Sequence, residues 1–224
     1  MREIFSEELE DLHVRLSAMG MLVNEAVYNS VKAFVNHDRE LALEVIQNDE
    51  AINQREVDIE KRSFEMIALQ QPVTSDLRMI VTIMKASSDL ERMGDHAVSI
   101  AKSTIRVKGN TRVPEIEEDI AAMADIVKQM VEDVLDAYVK KDEQRARKIA
   151  LQDQQVNEAF KTIYDKCIDE MKNDPQTVIG STDYLMVGTY LERVGDYVTN
   201  ICEWIVYLKT NKLTELNTNN QEMM

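Results

Sequence analysis

Cysteine, proline, glycine and aromatic residues are all scarce in this chain of 224 residues, and positive charge is in deficit. The two cysteines, Cys167 and Cys202, stand far apart and outside any paired motif. That fits a reducing compartment better than a disulfide framework, and both are expected to be small buried hydrophobes. Three prolines and six glycines provide few turns for so long a chain, which predicts long elements. Lys+Arg number 26 against 41 Asp+Glu, a net charge of −15; this removes the diffuse basic surface that nucleic acid or anionic lipid requires. No stretch approaches the roughly 18 apolar residues that span a bilayer, and the strongest short run, Met79 to Met84, contains Thr82. The acidic start, Met1 to Glu8, lacks the apolar segment of a secretory signal. A cytoplasmic location is therefore expected, with any membrane contact made through partners.

What the chain does contain is helical periodicity. Leu9, Leu12, Leu16, Met19, Val23, Val27 and Val31 alternate at spacings of three and four, a single apolar stripe along a helix of about eight turns. Asp38 is placed to cap a second helix running to about Leu69. After Gln71-Pro72-Val73, the capping-type residues Thr74, Ser75 and Asp76 start a third. It is expected to run to about Val107, with Lys108-Gly109-Asn110 as a left-handed terminator. Pro114 opens a fourth helix, ending near Lys140, with Glu115, Glu117 and Glu118 at the positive end of its dipole. Asp142 caps a fifth to about Lys172, Asn173-Asp174-Pro175 breaks the chain, and a sixth runs to about Lys212.

The second half repeats the first. Ala33 to Asp38 matches Ala137 to Asp142, Asp49 to Asn53 matches Asp153 to Asn157, and Leu90-Glu91-Arg92-Met93-Gly94-Asp95 returns as Leu191-Glu192-Arg193-Val194-Gly195-Asp196. The offset falls from 104 to 101 between these matches, which places a three-residue loss in the last loop of the second half. A duplicated three-helix unit accounts for the pattern. The expected fold is all-α, six long helices in two tandem antiparallel three-helix bundles. The domains would be 1–109 and 110–213, followed by a polar, Asn-rich disordered tail at 214–224.

The repeated positions are acidic. Glu91 and Asp95, like Glu192 and Asp196, lie four residues apart beside an apolar stripe. Asp49 interrupts Val45, Ile52 and Ile59, and Asp153 interrupts Ile149, Val156 and Phe160; each has an Asn four residues on, Asn53 and Asn157. Two such carboxylates with a facing Asp and Asn carbonyl make a hard, oxygen-rich set suited to Mg²⁺, Mn²⁺, Ca²⁺ or iron. The competing reading is a solvated ion-pair lattice with Arg92 and Arg193. Gly94 and Gly195 sit where a helical glycine costs about 1 kcal/mol relative to alanine, so a helix or a ligand is expected to approach closely there.

These motifs, with Met19-Gly20 and Leu69-Gln70-Gln71-Pro72-Val73-Thr74-Ser75-Asp76-Leu77-Arg78, resemble those of the PhoU family of phosphate-uptake regulators, in family order over about residues 3 to 210. The resemblance implies a homodimeric, cytoplasmic negative regulator that stands between a phosphate ABC transporter ATPase and a sensor histidine kinase. It also implies multinuclear iron or zinc sites, with Asp49, Asn53, Glu91 and Asp95 as ligands in the first half and Asp153, Asn157, Glu192 and Asp196 in the second. The sequence departs from the family pattern where Asn53 and Asn157 occupy places often held by acids, and where Tyr197 stands in place of the histidine retained as His96. Two rivals remain: a metal-free helical scaffold, and a carboxylate-bridged metal enzyme. The second would need paired Glu-x-x-His motifs, and the chain offers one, Glu10 to His13. No phosphate-cradling glycine loop is present.

Overall fold

In a computed structural model, residues 2–107 and 111–216 are described. They form α1 (Arg2–Asn36), α2 (Arg39–Gln70), α3 (Thr74–Arg106), α4 (Pro114–Lys140), α5 (Glu143–Asn173) and α6 (Val178–Thr210), with a 3₁₀ turn at Pro175–Thr177 before α6 and no strand among the described residues. The expected terminator at 108–110 lies outside the described residues, as does the expected disordered tail of 214–224 from 217 on; at its start the expectation fails, because Leu216 packs on the core and its N–H donates to Glu203 at 2.8 Å.

Local chemistry accounts for most of the boundaries. The carboxylates of Asp38 and Asp142 each accept a hydrogen bond of 3.0 Å, from Leu41 N–H and Arg145 N–H, and so satisfy donors at the starts of α2 and α5. Pro114 occupies the first turn of α4. Two expectations change. Val73 is the N-cap of α3 and makes no side-chain bond, so Thr74, Ser75 and Asp76 lie inside the helix instead of capping it. Helix α6 stops at Thr210, because Asn211 turns left-handed (φ 62°) and its N–H closes back on Tyr207. The expected loss from the last loop is not seen as a shorter connection: residues 71–73 join α2 to α3 and residues 174–177 join α5 to α6, and the offset falls instead because α6 begins 13 residues before Leu191 whereas α3 begins 16 before Leu90.

Helices α1, α3, α6 and α4 form a ring in which each touches the next; α2 packs only on α1 and α3, and α5 on α4, α6 and the turn before it. The cross-section is thus a four-helix centre with one helix on either flank. At about 1.5 Å per residue, helices of 27–35 residues run roughly 40–50 Å. The stripes expected from the sequence face the core: Leu12, Leu16, Met19, Val23, Val27 and Val31 of α1, Ile83 to Ile100 of α3, and Leu191 to Ile205 of α6 are buried. These residues belong to one continuous apolar cluster that runs through both halves. Cys167 and Cys202 are free and buried within it, and burial pushes the Cys167 thiol up to about 12.

Pairing along the helices shows their direction. Asn24 bonds Glu132 and His37 bonds Glu117, so α1 and α4 run antiparallel; Arg106 meets Asp183 while Arg78 meets Asn211, so α3 and α6 do as well. One end of the ring is closed by a buried carboxylate, Glu117. It accepts from His37 Nε2 at 3.0 Å, Tyr184 Oη at 2.9 Å and the Arg112 guanidinium, which also donates to Val35 O at 2.8 Å. Burial alone would raise Glu117, but these donors outweigh it and hold the carboxyl below its ordinary range. No helix among the described residues is long and apolar enough to cross a membrane.

Candidate functional site

The acids that recur in both halves sit where each flanking helix meets the centre. On α2, Asp49 and Asn53 share one face by the four-residue repeat of the helix. Asn53 Nδ2 donates to Asp49 Oδ2 at 3.1 Å, which leaves Asp49 Oδ1 and Asn53 Oδ1 buried without a hydrogen-bond partner. Facing them on α3 is Gly94: a Cβ there would stand 3.4 Å from Asp49 Oδ1 and 3.3 Å from Ile52. The second half repeats the arrangement. Asn157 Nδ2 donates to Asp153 Oδ2 at 3.0 Å, and a Cβ on Gly195 would stand 2.9 Å from Asp153 Oδ1. Both glycines therefore admit the facing aspartate and its neighbouring aliphatic residue.

The rest of each set lies within electrostatic reach. Burial raises Asp49, and the charge of Asp95 adds to it. Glu91 is raised by burial, then by Asp95 and Glu56; Glu192 is raised by burial, then by Asp196 and Asp153. Burial also raises Asp196, against the opposing effect of Arg193. Each half thus gathers its four expected residues into one neighbourhood where carboxylates disfavour one another's charge. The arginine lattice coexists with this: Arg92 Nη1 and Arg193 Nη1 each donate to the aspartate three residues on, Asp95 and Asp196, at 3.3 Å.

The donor chemistry fits a hard cation, since the oxygens are carboxylate and amide and two of those on α2 are buried without a donor. Closure is a separate matter. Among the described residues no three of His, Cys, Asp and Glu converge with the spacing to hold a metal ion. The Glu10 to His13 pair builds nothing further: His13 is buried against the Tyr138 ring, 5.9 Å between centroids, and neither ring nitrogen has a hydrogen-bond partner.

Three features escaped the sequence reading. Glu56 joins the first acidic neighbourhood, and its position in the repeat is taken by Phe160 in the second half. His96 stacks on Tyr190 of α6 at 5.7 Å and meets Tyr197 at 5.8 Å, so the position that departs from the family pattern packs against the one that keeps it. Asp89 lies on the same α3–α6 seam and accepts from Trp204 Nε1 at 3.0 Å and Asn200 Nδ2 at 3.4 Å. Burial pushes its carboxyl up to about 6 against those two donors. Their partners lie more than a hundred residues away in sequence; the only local signal is the heptad spacing of Tyr190, Tyr197 and Trp204 along one side of α6.

The PhoU domain family model matches residues 16–104 and 120–205, one stretch in each half. A phosphate-specific transport system accessory protein PhoU homolog from Clostridium acetobutylicum is 38% identical over 217 residues, covering 96% of this chain and 99% of its own. The crystal structure of the phosphate transport system regulatory protein PhoU from Streptococcus pneumoniae superposes with a TM-score of 0.88 at 36% identity, over 94% of this chain and 99% of that one. That of PhoU from Pseudomonas aeruginosa gives 0.88 at 34% identity, over 93% and 100%.

Proposed function

The chain belongs to the PhoU family, relatives in which are named accessory and regulatory proteins of phosphate transport, and from that membership we propose that it is an accessory regulator of phosphate transport and not an enzyme. In the finer form of this reading it is a cytoplasmic homodimer that represses phosphate uptake and the phosphate-starvation response when phosphate is plentiful. It does so by contact between the ATPase of a phosphate ABC transporter and a sensor histidine kinase. The observation that carries the reading is the match of both repeats, in order, to accessory proteins over nearly their whole length. Binding of the purified chain to the purified ATPase and to the kinase's cytoplasmic portion tests it. Saturable binding to at least one is expected, and absence of binding to both at high and low phosphate would remove the contact mechanism.

The acidic neighbourhoods support a second element of the proposal, that each half takes up a transition metal such as iron or zinc, with Mg²⁺ or Mn²⁺ as alternatives. Asp49, Asn53, Glu91 and Asp95 would hold it in one half, and Asp153, Asn157, Glu192 and Asp196 in the other. The supporting observation is the pair of buried, undonated oxygens on Asp49 and Asn53. A bound cation would supply positive charge to carboxylates that otherwise raise one another. Elemental analysis of gently purified protein should find metal, and the Glu91→Ala, Asp95→Ala double variant should lose the first half's share of it. Metal-free protein that still binds its partners would make the chain a metal-free scaffold with the same role.

A further inference from the structure

Across the four-helix ring from the α3–α6 seam, α1 and α4 leave a groove of about 590 Å³ that the acidic sites do not use. Its walls are Met21 and Tyr28 on α1 and Leu135 and Val139 on α4, with Glu25 and Glu132 at the rim. Met21 is 70% exposed, Val139 54% and Tyr28 40%, although apolar side chains of this size are ordinarily buried. The floor depends on Gly20. A Cβ there would stand 2.4 Å from Leu135 Cδ2, so the missing side chain lets Leu135 settle against the α1 backbone and keeps the groove open above it. Exposed Val14 stands seven residues before Met21, which stands seven before Tyr28, and that spacing lays a straight apolar strip along α1.

We infer that this groove is a docking site for an amphipathic helix of another protein, one whose apolar face is flanked by Lys or Arg. A cleft between two helices receives a third through side chains at helical spacing, and the strip on α1 has that period. The charge selects the flanks. Glu25 is exposed and makes no ion pair among the described residues, Glu132 is about half exposed with Lys128 4.0 Å away, and Lys128, which also lies 4.6 Å over the Tyr28 ring, is the one base among the lining residues. Asp136 is already paired with Lys140 and Arg145. A second copy seated here through its own groove would set Glu25 and Glu132 of the two rims against each other, so a homodimer would form through another face. The inference names one contact surface for the accessory role proposed above and rests on that role for its biological meaning. Its experiment reads peptide binding alone, so a missing phosphate phenotype and a missing groove are distinguishable.

The probes are two designed peptides of about 18 residues, roughly 27 Å of helix, with the same Leu face and with either Lys or Glu on both flanks. Fluorescence anisotropy against the full chain should show the Lys-flanked peptide binding at least about tenfold tighter than the Glu-flanked one. Met21→Asp with Val139→Asp should abolish that binding, while Val57→Asp on α2 leaves it intact; all three side chains are exposed, and circular dichroism checks that helicity is kept. Glu25→Lys with Glu132→Lys should reverse the preference between the peptides. Equal affinity for the two peptides, no binding of the Lys-flanked one, or binding unchanged by Met21→Asp with Val139→Asp would overturn the inference. So would a dimer that Met21→Asp converts to monomer in sedimentation, since the occupant would then be a second copy.

Discussion

At the scale of single residues, the glycines that face the repeated aspartates, Gly94 and Gly195, are not equivalent. Alanine in place of glycine gains about 1 kcal/mol of helix propensity. At residue 94 the new methyl would meet Asp49 and Ile52 at 3.3–3.4 Å, a contact small shifts relieve; at residue 195 it would stand 2.9 Å from a carboxylate oxygen of buried Asp153. Gly195→Ala should therefore be less stable than Gly94→Ala by about 1 kcal/mol or more in chemical denaturation. Asp89 supplies a pH dependence. Its folded carboxyl is raised to about 6 from an ordinary value near 3.8, so the folded state holds the proton more tightly than the unfolded one. The stability this contributes is complete below about pH 4 and is lost as pH rises through about 6, by about 3 kcal/mol. Asp89→Asn lacks the titration, so the difference in unfolding free energy between wild type and variant should shift against the wild type across that window and be flat above it. A difference independent of pH from 4 to 7 would contradict the assignment.

At the scale of elements, six helices were legible because their signals are local. Periodic apolar residues, an Asp before each of α2 and α5, and a proline at the head of α4 act within a turn or two of the chain. Asp38→Ala and Asp142→Ala should each cost about 1 kcal/mol in thermal or denaturant unfolding, because each carboxylate caps one otherwise unpaired N–H. Thr74, Ser75 and Asp76 misled for the opposite reason: each resembles a cap, but Val73 takes the extended conformation and helix begins at Thr74. The acidic pairs were legible through the four-residue repeat, which also explains why Asn53 and Asn157 bond the aspartates of their own helices. Glu56, Asp89 with Trp204, and Glu117 with Arg112, His37 and Tyr184 were not. Their meaning comes from the neighbouring helix, and no spacing along one helix encodes a partner on another.

At the scale of the whole molecule, the duplication built one body. The apolar cluster crosses from one half to the other, through α1 against α4 and α3 against α6. A shared core predicts one cooperative unfolding transition in calorimetry, with the calorimetric enthalpy equal to the van't Hoff enthalpy; two resolved transitions would mean that the halves are independent. The net charge of −15 is likewise divided by the fold. Repeated carboxylates gather where each flanking helix meets the centre, at the junctions of α2 with α3 and of α5 with α6, and an apolar groove with an acidic rim lies between α1 and α4. A body with such unlike surfaces suits a protein that works by touching others. The measurement that bears most directly on that account is the activity of a phosphate-starvation reporter, in phosphate-rich medium, in cells whose gene for this chain has been deleted and then restored. The account predicts derepression on deletion and renewed repression on restoration; a reporter that stays fully repressed after deletion would contradict it.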